Sequence, residues 1–285
     1  MSKKDDQIIY TVPNVIVTRH CRKLPEGFTK SPDAYRVLDP IYVRWKRRGD
    51  AETNEKFRQV IPYVVVSRTT LDGSKEYVSY VRAKGGGESR LHSKVSIGIG
   101  GHMEQFDKDF RDSMWREVAL EEIIFKRGDQ TLRMDEMGLT PHHMHYVGMI
   151  SMDTTPVDRV HVGAVFVVNI PGEFHDVKPA STDSGLSSVE WMSTTQLLDK
   201  SEQLENWSRV LVDHPSMLMR EVLRPVFPAE PGNTMASIEF HATRGMVARS
   251  SPVCQKSYDS ISAIYGNELC SSMVKKFTET ESTIW

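Results

Sequence analysis

Residues 95–125 read VSIGIGGHMEQFDKDFRDSMWREVALEEIIF, and the fold turns on how that stretch is parsed. Val95, Ile97 and Ile99 alternate as a strand does and stop at Gly100-Gly101. A polar loop follows, and from Asp109 to Phe125 the spacing is helical. At roughly 100° per residue, Phe110, Met114, Val118, Leu120, Ile124 and Phe125 share one broad apolar face, with Glu117 and Glu121 in its middle, one turn apart. Carboxylates buried without compensation are costly, and this pair would also repel at i,i+4. A cation must meet them, either a divalent metal or an arginine such as Arg116. The glycines upstream favour the metal. Without side chains they let the backbone approach a ligand and expose its carbonyls, and hard oxygen donors suit magnesium or manganese.

Working outward, the chain of 285 residues has room for one large domain or for a smaller one with extensions. A net charge of −2 provides no basic field for nucleic acid or an anionic membrane. The longest apolar run, Val162–Val168, is far short of a bilayer span, and the start MSKKDDQIIYTVP lacks the hydrophobic segment of a signal peptide. Three widely spaced cysteines (Cys21, Cys254, Cys270) suggest neither a disulfide framework nor a zinc site, which points to a reducing cytoplasm.

Residues 14–20 (NVIVTRH) read as a strand within an N-terminal extension, 1–59, and regular structure is expected from Val60. VIPYVVVSR and EYVSYVR form a hairpin around Asp72-Gly73. The unbroken Val64-Val65-Val66 implies a strand covered on both faces. Residues 84–94 (KGGGESRLHSK) are a turn or a phosphate-binding loop, in which bare amides with Lys84, Arg90, His92 and Lys94 would neutralise a diphosphate. Lys126–Thr140 reads as a loop, and 143–152 and 160–169 as strands about a turn at Thr154–Asp158. His142, His143 and His145 read as solvated or packed histidines, and His161 as a satisfied core histidine entering the same sheet. SSVEWM is a strand that Ser193 or Thr194 caps into a short helix. Residues 202–213 are helical up to Pro215. From 216 onward a short helix, a linker and a mixed segment follow.

The central stretch resembles the signature of the Nudix hydrolases, in which a glycine, five residues, a glutamate and seven residues precede Arg-Glu-apolar-x-Glu-Glu. Gly101 begins it and Arg116-Glu117-Val118-Ala119-Leu120-Glu121-Glu122 closes it. The loop is one residue longer than the pattern, so the upstream glutamate falls on Asp107 or Lys108; Leu120 stands for the first glutamate of the closing pair, and Glu122 follows one position late. This variant box, with the Gly-Gly-His stretch and the glycine-rich loop before it, is similar to that of Nudix-like predicted phosphoesterases. The resemblance covers about residues 60–214. It implies an α/β/α sandwich with a mixed sheet (α+β) over 60–215, flanked by extensions 1–59 and 216–285.

The resemblance also implies hydrolysis of a nucleoside diphosphate linked to another group, with Mg2+ or Mn2+ on Glu117, Glu121 and a Gly100 or Gly101 carbonyl. Arg116 would hold a carboxylate in place, and Glu122 or Glu104 could join the metal shell. Glu190 and Asp183 are further candidates for the general base. The other reading is a degenerate module that binds a nucleotide as a sensor or scaffold without cleaving it, which Leu120 favours and the Glu117/Glu121 pair opposes. Without an aromatic-interleaved basic stripe, small nucleotides are expected ahead of nucleic acid, a capped RNA end excepted. The oligomeric state, a homodimer included, stays open.

Overall fold

The computed structural model describes residues 3–21, 27–82, 94–181 and 186–213, and only the backbone of Leu120 and Glu121. These belong to the unit Met1–Ala229, and a second unit spans Glu230–Trp285. The expected segment 216–285 lies outside the described residues.

Strand β4 (Phe57–Thr69) is the axis. Val64, Val65 and Val66 are all fully buried, as an unbroken apolar run requires when both faces of a sheet are covered. β11 (His161–Ile170) runs parallel to it, with His161 opposite Gln59 and Ile170 opposite Arg68. β5 (Lys75–Arg82) follows β4 through the expected hairpin, whose Gly73 sits at φ +85°. With β13 (Leu186–Ser193), β10 (His145–Ile150) and β2 (Phe28–Thr29) the main sheet reads β13-β5-β4-β11-β10-β2. Only β4 and β11 pair in parallel along this path, so the sheet is mixed.

Side-chain alternation gives each face its own cover. Tyr63, Val65, Val165 and Val167 join Leu197 of α5 (Thr194–Asp199) and Leu211 and Val212 of α6 (Asn206–Val212) in one core. On the other face Phe166 meets Phe110 of α3 (Phe110–Trp115), their centroids 6.0 Å apart. Ser193 caps α5 as expected, its hydroxyl accepting from the Gln196 amide. The architecture is α+β with helices on both faces of a mixed sheet. Among the described residues no helix is long and apolar enough to cross a membrane.

Four expectations are corrected. Regular structure begins well before Val60: β1 (Ile8–Pro13) pairs with the start of β4 and with β3 (Arg44–Arg47), which leads into α2 (Arg48–Ala51). Asn14–His20 is not a strand but helix α1, with Ile16, Val17 and His20 buried. Burying one helical stripe outweighs the small propensity penalty of β-branched residues. The acidic helix stops at Glu122, not Phe125, and β8 (Ile123–Arg127) starts at once. The segment read as a loop after Lys126 supplies β9 (Gln130–Leu132), and with β12 (Asp176–Pro179) these strands form a second sheet, β12-β8-β9. Ile123 and Phe125 are buried while Ile124 is less so, a period of two that a short apolar run hides after a helix.

Candidate functional site

The strand before the glycines changes partners midway. β6 (Val95–Ser96) pairs with β5, and β7 (Gly98–Ile99) pairs with β4. It delivers Gly100 against the Pro62 carbonyl, which a Cβ there would meet at 1.8 Å. Only glycine allows that approach. Past the loop, the Asp109 side chain accepts from the Asp112 amide at 2.8 Å and starts α3.

Arg116 is the centre of the charge arrangement. Its Nε and Nη2 donate to the two Asp107 oxygens at 2.9 and 3.0 Å, a bidentate pair. Its Nη1 donates to Glu117 Oε1 at 2.7 Å, and Nη2 lies 3.4 Å from the His102 carbonyl. The Asp107 side chain is 1% exposed and that of Glu117 15%. Burial pushes the Asp107 carboxyl up, but the Arg116 hydrogen bonds and the Glu104 amide prevail and hold it below the ordinary carboxylate range. Hydrogen bonding to Asp107, and then the charge of Glu117, raise Arg116 above its ordinary value. The exposed Phe106 ring lies 5.2 Å from the guanidinium.

Gly101 faces the Glu117 carboxylate. A Cβ on Gly101 would fall 2.4 Å from the carboxyl carbon and 2.5 Å from each oxygen. The backbone therefore reaches the carboxylate where no side chain could stand. Of the two positions on which the signature's upstream glutamate falls, Asp107 is the one that grips the arginine, and Lys108 sits at the helix entry with its amide on Asp112.

The acidic segment itself is unusual. Arg116–Glu122 is a π-helical turn, which closes i to i+5 rather than i to i+4. The wider turn accommodates one extra residue, which is the excess seen where Glu122 follows late. It swings Glu122 from the flank of the helix back toward the line of Glu117, so the 100° spacing used for the sequence understates Glu122. The Glu121 side chain lies outside the described residues.

The other candidates are scattered. Lys84, Arg90, His92 and Asp183 lie outside the described residues. Glu104 accepts from Gln7 Nε2 at 3.1 Å and stays at the loop. Glu190 sits on β13, exposed, 3.9 Å from Lys200 Nζ. His143 caps the turn at Thr140, accepting from its amide at 3.0 Å. Cys21 is a free, buried thiol whose pKa burial pushes up to about 12.

No family model matches the chain. It is 28% identical over 221 residues to protein YmaB of Bacillus subtilis (strain 168), across 75% of this chain and 98% of YmaB. Among solved structures it is similar to Tm1382, described as a candidate Nudix hydrolase: 25% identity and a TM-score of 0.53, over 73% of this chain and 97% of that one. A Nudix hydrolase from Alicyclobacillus acidocaldarius aligns at 14% identity with a TM-score of 0.40, over 60% of this chain and 98% of that one. The partner-switching strand, the glycine approach to Glu117 and the acidic turn thus lie on a mixed sheet of recognisable kind, and the chain has the fold of the Nudix hydrolase superfamily.

Proposed function

We propose that the chain is a metal-dependent hydrolase of the pyrophosphate linkage in a nucleoside diphosphate joined to another moiety. The observation that carries this reading is the Gly101 backbone laid against a half-buried Glu117 carboxylate. That cradle suits a hard cation. Glu117, Glu121 and Glu122 would hold magnesium or manganese, with the Gly101 carbonyl as a further oxygen donor. Such an ion, when bound, polarises a phosphoryl oxygen and lowers the pKa of an attacking water.

The protein's own residues prepare that chemistry. Asp107 is buried and holds Nε and Nη2 of Arg116, while Nη1 orients Glu117. Arg116 is thereby a positioning residue. Lys84, Arg90 and His92 are proposed to meet the substrate phosphates as cations. The substrate class is a small nucleotide.

A panel of nucleoside triphosphates, ADP-ribose, dinucleotides, dinucleoside polyphosphates and capped RNA, read by product identity, tests the reading. Activity on the best substrate should vanish with a chelator and return with magnesium or manganese. Turnover that persists in chelator removes the proposal. Leu120 and the Arg116 grip on Glu117 favour a second reading, a nucleotide-binding module without catalysis. It expects saturable nucleotide binding and no product with any metal.

Gly101→Ala probes the cradle. The added methyl must displace a carboxylate that Arg116 pins. Mn2+ affinity, read by electron paramagnetic resonance, should fall by about 10-fold or more, comparable to disturbing a ligand's support. An unchanged affinity would show that Glu117 is not a ligand.

A further inference from the structure

We propose that Glu52, His102 and His161 form a second metal site, distinct from the acidic helix, for a borderline-soft divalent ion such as zinc. Glu52 is the C-cap of α2, His102 follows Gly101 in the glycine loop, and His161 opens β11. Far apart in sequence, they place one donor atom each within 4.8 Å of one another. Two imidazoles and one carboxylate are a donor set that zinc accepts and magnesium does not favour.

The histidines are oriented as ligands are. A metal-bound imidazole donates its other nitrogen to a carbonyl or carboxylate, which fixes its tautomer and plane. His102 Nε2 lies 2.7 Å from the buried Gln59 Oε1. His161 Nδ1 lies 2.9 Å from the Val157 carbonyl. The parallel register sets Gln59 directly opposite His161, so one pairing holds both rings. A bound ion would take the other nitrogen of each ring, and the ring centroids are 5.9 Å apart.

Tetrahedral donors on zinc stand about 3.4 Å apart, so the group must close somewhat on binding. Glu52 is the part able to move, since its side chain is 34% exposed. Arg48 Nε competes for it at 3.5 Å, but Arg48 has a second anchor in Gln7 Oε1 at 3.0 Å. Lys4 adds positive charge on the same side. Against these cations, a surface cavity of about 360 Å³ reaches Glu52 and is lined by Asp5, Asp50, Gly49 and Arg47 as well. Its three carboxylates outnumber its one arginine, which favours cations beside Glu52.

An ion held here would tie α2 and the start of β11 to the loop that carries Gly101. It would fix the backbone against which Glu117 lies. The site does not rest on the hydrolase reading, since its ligands exclude every carboxylate of the acidic helix.

Cobalt is the probe, because its visible absorption reports coordination without any turnover. The full chain, freed of metal, is titrated with Co2+ in excess magnesium, which keeps hard oxygen sites occupied. One Co2+ per chain should bind with a saturable visible band, and zinc should displace it. Glu52→Gln and His102→Ala should each weaken binding by at least about 100-fold, beyond what loss of a supporting hydrogen bond costs. Glu117→Gln should leave the band intact. Thermal unfolding in chelator checks that the variants fold, and if His102→Ala does not, the part-exposed Glu52→Gln decides. The absence of a saturable band, a band indifferent to Glu52→Gln, or one lost in Glu117→Gln would each overturn the site.

Discussion

Glu117→Gln is expected to lower turnover by at least two to three orders of magnitude, about 3–4 kcal/mol of transition-state stabilisation, while the protein folds as well as the wild type. The structure separates the two effects. Glutamine keeps the side chain's length and an oxygen that can still accept from Arg116 Nη1. Arg116 itself keeps its bidentate grip on Asp107, so no buried charge is stranded. The change removes negative charge from the Gly101 cradle. Chelator-treated wild type and variant should therefore unfold within about 1 kcal/mol of each other, the size of an ordinary hydrogen-bond change. A variant that is unstable without metal yet still active would end the assignment of Glu117 to catalysis.

Asp107→Asn should behave in the opposite way, with stability carrying the loss. The Asp107 side chain is 1% exposed and supplies both oxygens to Arg116. Breaking one side of a buried ion pair costs about 3–5 kcal/mol. Arg116 retains Glu117 and its side chain is 20% exposed, so about 2–3 kcal/mol is expected here, below that range. Urea unfolding at neutral pH measures it. The pH dependence has a definite sign. The folded carboxyl titrates below its unfolded value, so the native state binds fewer protons and the contribution is complete above the ordinary carboxylate pKa of about 3.9. As pH falls from there through the folded value, the difference between wild type and variant should shrink toward zero. A gap that stayed constant into strong acid would show that Asp107 acts through packing rather than charge.

Much of the frame is legible in local pattern. The unbroken Val64–Val66 demands cover on both faces, and Asp72-Gly73 demands a tight hairpin. Ser193 before Thr194-Thr195-Gln196 is a capping box that local chemistry suffices to close. Gly100-Gly101 likewise announces a backbone open to close approach. Each of these readings depends on residues a few positions apart, whose interaction survives whatever surrounds them.

The remainder depends on energies that arise only between distant segments. NVIVTRH has strand-forming residues, yet it coils because the core offers Ile16, Val17 and His20 a single stripe to cover. Ile123-Ile124-Phe125 continues the apolar spacing of a helix, but pairing with β12 and β9 draws it into a second sheet. The π turn over Arg116–Glu122 has no local signature beyond one surplus residue. Asp107 and Lys108 are equally placed by counting, and only the folded loop sets Asp107 against Arg116. His161 reads as a packed histidine until the parallel register puts it opposite Gln59, and hence beside His102 and Glu52. The sequence by itself determined where a carboxylate helix follows a glycine turn, because capping, glycine geometry and periodicity act within a few residues. Which carboxylates, arginine and histidines meet around that turn was decided by the tertiary structure, because strand register and burial join segments that share no local code.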